Sequence, residues 1–84
     1  MAKNKKAMHC EIHIGQLICN KLKENGRSVS WLAKQVYCDR SNLRKMLKNN
    51  HIYSELLLRI SITLDYDFFA HYSSFIRNKE NLSR

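Results

Sequence analysis

The chain contains no proline and only two glycines, Gly15 and Gly26, in 84 residues. Those residues interrupt helical backbone most strongly, so their scarcity argues against a turn-rich sheet protein and leaves long stretches free to form helix. Cysteine is sparse as well. Cys10, Cys19 and Cys38 are an odd number with no C-x-x-C spacing, which speaks against a disulfide framework or a zinc knuckle and fits a reducing compartment. No run approaches the roughly 18 apolar residues of a membrane span, and the charged start of the chain leads into Ala7-Met8-His9-Cys10-Glu11, not into an apolar signal core. A cytoplasmic protein without a membrane partner is expected. Acidic residues are the last scarcity: seven Asp and Glu stand against fifteen Lys and Arg, for a formal charge of +8. On so small a body that excess attracts polyanions, nucleic acid first.

What is present describes one domain, since chains divide only above roughly 150 to 200 residues. With 44% hydrophobic and 26% charged residues the composition is that of an ordinary globule. A chain this short buries only about 60 to 65% of its unfolded surface, which leaves little room for a deep catalytic cavity. No enzyme and no cofactor is expected.

Apolar residues recur at helical spacing almost throughout, and the fold class read from them is all-α, a small five-helix bundle. A first helix runs from about Glu11 to Asn25 on the stripe Ile14, Leu17, Ile18 and Leu22. Asn25-Gly26 closes it. Gly15, inside it, implies that another helix approaches closely there. Ser28 is placed to cap a second helix to about Val36, with Leu32, Ala33 and Val36 inward. Tyr37-Cys38 reads as a turn, and Asp39 as the cap of a third helix, Arg40 to about Lys48. Asn49-Asn50-His51 breaks the pattern before a fourth helix, Tyr53 to Leu64, with Leu57, Ile60 and Leu64 inward and Ser54 able to share its capping. Asp65-Tyr66-Asp67 is a further turn, followed by a last helix from about Phe68 to Asn78. Residues 1–10 read as a flexible basic arm, 11–78 as the domain with an extra C-terminal helix, and 79–84 as a frayed tail.

The segment from Val29 to Met46 carries the functional reading. Leu32, Ala33, Val36, Cys38, Leu43 and Met46 alternate small and apolar positions as two crossing short helices demand, with Ala33 where they touch. Together with Ile14-Gly15, Ile18, Lys21 and Lys23, and with Leu57-x-x-Ile60-Ser61-x-x-Leu64, this stretch resembles the Cro/repressor (Xre-like) family of bacterial helix-turn-helix DNA-binding domains. The resemblance implies a five-helix fold and a transcriptional regulator that binds a specific operator. Two positions depart from the family's habit. Tyr37 stands where the turn usually has glycine, and Val29 where glutamine often holds a DNA phosphate. Tyrosine there must accept a strained backbone or the turn must take another shape, at a cost of about 1 kcal/mol or slightly more.

The third helix can also be read directly. If Leu43, Met46 and Leu47 face inward, Ser41, Arg44, Lys45 and Lys48 lie opposite. Arg40 occupies the first turn, the part of a recognition helix that enters deepest into the major groove. Arg40, Ser41, Arg44 and Lys45 are therefore the candidates for base contacts, arginine through the planar fork that matches guanine O6 and N7. Arg27, Ser28, Ser30, Lys34, Lys48, Asn49 and Asn50 are the candidates for phosphates. From Arg27 to Lys48 there are six bases and one acid, Asp39, itself at a cap. Double-stranded DNA is the expected partner, and the nucleoid the expected location.

His9, Cys10 and His13 lack a further ligand pair, so no metal site is expected. Trp31 reads as partly exposed and Cys38 as a small buried hydrophobe. Phe68, Phe69, Tyr72, Phe75 and Ile76, with Leu56 and Leu58 on the fourth helix, exceed what one stripe per helix requires. Core closure explains most of them, and an interface of Phe69, Tyr72, Phe75 and Ile76 accounts for the surplus. That interface would hold a homodimer on a palindromic operator. The alternative reading makes the chain an antitoxin-like or adaptor module that presents the aromatic surface of its C-terminal helix to a protein partner.

Overall fold

The computed structural model describes residues 12–78, which form five helices and no strand. They are α1 (Ile14–Glu24), α2 (Val29–Gln35), α3 (Arg40–Asn49), α4 (Ser54–Leu64) and α5 (Phe69–Arg77). The basic arm and the frayed tail expected at 1–10 and 79–84 lie outside the described residues.

The helix starts follow local chemistry. Ser28 Oγ accepts from the Trp31 N–H at 3.0 Å and Asp39 Oδ2 from the Asn42 N–H at 3.1 Å, as expected of caps. At α1 the cap is His13, whose Nδ1 accepts from the Gln16 N–H at 3.0 Å, so the helix begins at Ile14 and not near Glu11. Helix α4 starts after Tyr53 with no side-chain cap, and Ser54 takes no part. Asp67 Oδ1 accepts from the Ala70 N–H at 3.2 Å, which leaves Phe68 outside α5 and free to turn inward.

The ends of α1 to α4 share one device. Gly26 (φ 67°), Tyr37 (φ 56°), Asn50 (φ 58°) and Asp65 (φ 52°) are the left-handed residues among those described. After each, the next N–H closes on a carbonyl five residues back: Arg27 on Leu22 at 2.9 Å, Cys38 on Ala33 at 2.9 Å, His51 on Met46 at 3.0 Å and Tyr66 on Ser61 at 3.0 Å. This is the six-to-one closure of a Schellman motif. A chain with so little glycine thus ends three of these four helices on residues that carry a Cβ. Asn and Asp tolerate the conformation, while Tyr37 meets the steric penalty anticipated for it.

Helix α1 packs on α3, α3 on α2, and α2 on α4. Gly15 is buried at the first of these crossings. A Cβ there would collide with the Leu47 carbonyl group, so the bare glycine backbone sets how closely α1 and α3 approach. The core contains Ile14, Ile18 and Leu22 of the stripe expected on α1, with Leu17 half-buried against it, and Leu32 and Ala33 from α2 with Val36 at its C-cap. Two residues counted above as surplus belong to it: Leu56 and Phe68 are wholly buried. Leu56 sits on α4 beside Leu57, so two adjacent rows of that helix face inward, and Phe68 packs edge-on against Tyr66 at 4.7 Å between ring centroids. Cys38 and Trp31 are half-buried.

Candidate nucleic-acid interface

Leu43 and Leu47 hold α3 to the core, with Met46 half-buried beside them. Steps of 100° per residue then place Ser41 and Lys45 opposite the core. Arg40, Arg44 and Lys48, each four residues from the next, form a row that runs along one flank at Arg40 and Arg44 and reaches the outer face at Lys48, about 20° from Ser41. All five are exposed.

The face is cationic and uncompensated. Among the described residues the ion pairs are Lys21–Glu24 at 3.1 Å and Arg59–Glu55 at 3.0 Å, and neither involves α3. Arg40, Arg44, Lys45 and Lys48 therefore present cations without a bound carboxylate to solvent, which concentrates positive potential on this side. The Arg40 guanidinium donates to Ser30 Oγ at 3.4 Å, which links the first turns of α3 and α2.

The candidate phosphate residues are not all brought together. Lys34, Lys48 and Asn49 are exposed, and Ser30 sits beside Arg40. Ser28 Oγ accepts the Trp31 amide, so only its hydroxyl proton remains to be offered. Arg27 lies over the Trp31 ring, 4.7 Å from its centroid, in a depression shared with Asn25, Thr63 and Asp65 and with no residue of α3. Asn50 is engaged elsewhere: its Oδ1 accepts from the Gly15 N–H at 3.3 Å and its Nδ2 donates to the Ile12 carbonyl at 3.1 Å, both part-buried, so its amide holds the start of α1 and has one N–H left to offer.

Beside the row of cations lies a cavity of about 430 Å³, lined by His13, Gly15, Gln16 and Cys19 of the α1 segment, Val29 of α2, and Arg44, Leu47 and Lys48 of α3. Its floor is apolar and its rim polar. Because His13 Nδ1 is an acceptor, the neutral ring carries its hydrogen on Nε2. Nothing in the local sequence marks Gln16, Cys19 or Val29 as lining a site, and His13 stands out there only through its spacing from His9. The available signal was Gly15, since Cys19 follows it by one helical turn on the same face.

Helix α5 has no wholly buried residue: Phe69, Tyr72 and Phe75 are half-buried, and Ile76 is 62% exposed. Its base is anchored, because the Tyr66 hydroxyl and His71 Nε2 share a hydrogen bond of 2.8 Å and Lys21 Nζ stands 4.2 Å from the centroid of the Tyr66 ring. Tyr37 and Ile62, exposed by 91% and 70%, form apolar surface that the sequence did not single out.

Among the described residues no three His, Cys, Asp or Glu side chains gather to hold a metal, and no helix is long and apolar enough to cross a membrane. His9 and Cys10 lie outside those residues. Comparison with family models, curated proteins and solved structures finds no match to this chain.

Proposed function

We propose that the chain is a sequence-specific DNA-binding regulator of the helix-turn-helix, Cro/repressor type, acting at an operator in the nucleoid. One observation carries the reading. Helix α3 turns five exposed residues outward, four of them cations without an acidic partner among the described residues, while Leu47 fixes its opposite side against Gly15. A rigidly seated cationic helix is what insertion into a major groove requires, and unpaired cations gain most from releasing the counterions of duplex DNA. Arg40, Ser41, Arg44 and Lys45 are the candidates for bases, and Ser28, Ser30, Lys34, Lys48 and Asn49 for the backbone, with Arg27 at its edge. Two copies joined through α5 would read half-sites about one helical turn apart.

Selection of bound sequences from a random duplex pool, at stated salt, tests the reading: enrichment of a motif supports it, and binding without enrichment removes the specificity. The exposed Ile76 favours a second reading, in which α5 docks a protein partner and DNA contact is secondary. Alanine at Arg40 and Lys45 abolishes enrichment under the first reading and leaves partner capture intact under the second. Sedimentation of Ile76→Asp tests the dimer, a monomer in both wild type and variant counting against self-association through α5.

A further inference from the structure

We infer that Arg44 and Lys48 grip the sugar–phosphate backbone of the bound duplex, with the cavity beside them receiving a deoxyribose, and that neither reads a base. The inference rests on the DNA-binding reading and moves Arg44 from its base candidates to the backbone, beside Lys48.

Position comes first. Lys45 points directly away from the core, whereas Arg44 lies about 100° round the helix, on the flank that faces α1. It lines the cavity together with Gln16 and Cys19 from α1 and Val29 from the first turn of α2. A side chain set between α3 and that wall meets the ridge of the duplex, while the outward line of Ser41 and Lys45 meets the groove floor.

Chemistry agrees. At about 430 Å³ the cavity falls within the size range of ligand clefts. Among the described residues no carboxylate lines it. Gly15, Cys19, Val29 and Leu47 give an apolar floor, and Arg44 and Lys48 give two unpaired cations at its edge. An apolar floor under paired cations suits a pentose ring flanked by phosphates, and it carries no pattern of donors and acceptors able to tell one base from another.

The test measures binding of the full chain by fluorescence anisotropy, over a range of salt, to a duplex enriched from a random pool and to a scrambled duplex. Arg44→Gln and Lys48→Gln are each expected to weaken both duplexes alike, about eightfold at 0.1 M salt, and to lower the salt slope by about one. Cys19→Leu fills the floor without changing charge; it should weaken both duplexes several-fold and leave the slope unchanged. Lys45→Gln is the contrast and should alter preference at one base pair. The proposal is overturned if Arg44→Gln relaxes preference at a base pair while the slope stands, or if correctly folded Cys19→Leu binds both duplexes as the wild type does. Arg44 and Lys48 are exposed, so their variants remain decisive should Cys19→Leu fail to fold. A wild-type chain that binds neither duplex refutes the DNA reading itself, and one that binds both equally leaves the decision to the salt slope.

Discussion

Asn50 at the end of α3 holds the start of α1: its Oδ1 accepts the Gly15 N–H at 3.3 Å, and its Nδ2 reaches the Ile12 carbonyl at 3.1 Å. The same residue adopts the left-handed conformation that ends its helix, at φ 58°. Asn50→Gly keeps that backbone and loses both bonds, so it should cost about 2 kcal/mol. Asn50→Ala adds the strain of a left-handed alanine and should cost about 3 kcal/mol. Urea unfolding measures both. The salt slope of DNA binding should not change in either, and a lowered slope at wild-type stability would make Asn50 a phosphate contact after all.

The crossing of α1 and α3 depends on a missing atom. A methyl group on Gly15 meets the Leu47 carbonyl, which is backbone and cannot swing aside. Gly15→Ala should therefore destabilise by about 3 kcal/mol and weaken DNA binding in step, because α3 loses its seat. Calorimetric unfolding that left the midpoint unchanged would show that the crossing is looser than described.

Tyr37 is the mirror case, a residue with a side chain where glycine would be at ease. Its φ is 56° and its side chain is 91% exposed, so little packing is lost by removing it. Tyr37→Gly should stabilise the fold by about 1 kcal/mol, read as a raised thermal midpoint. A lowered midpoint would mean that the tyrosine contributes more in contacts than its backbone costs.

The outward line of α3 and the exposed face of α2 should separate in binding experiments. Lys45→Ala is expected to relax preference at one base pair, losing about 1 to 3 kcal/mol of discrimination. Lys34→Ala should weaken every sequence alike and reduce the salt slope by about one. Competition of matched and mismatched duplexes at several salt concentrations distinguishes the two, and interchanged effects would reverse their assignment.

Much of the architecture was legible from neighbours in the chain. Ser28 and Asp39 could be read as caps because a cap bonds a backbone amide three residues on, and the turns at Tyr37, Asn50 and Asp65 because polar or broken spacing marks them. Gly15 was legible as a close approach, though not against which helix. What stayed hidden involved distance along the sequence. Asn50 looked like any polar turn residue, since its partners lie 35 and 38 positions away. Leu56 and Phe68 looked surplus because periodicity counts one buried stripe per helix, whereas α4 buries two adjacent rows and Phe68 turns inward ahead of α5.

The all-helical class, the ends of most helices and the surplus of cations between Arg27 and Lys48 were determined by composition and by interactions spanning four or five residues, which the order of the amino acids states directly. The grouping of those cations was a tertiary decision. Arg27 lies over Trp31, Arg44 and Lys48 share a cavity with α1, and Lys45 points away from the core. Their sequence spacing restricts where each can sit on its own helix, but only the packing of α1 across α3 at Gly15 provides the wall that divides one flank of α3 from its outer face.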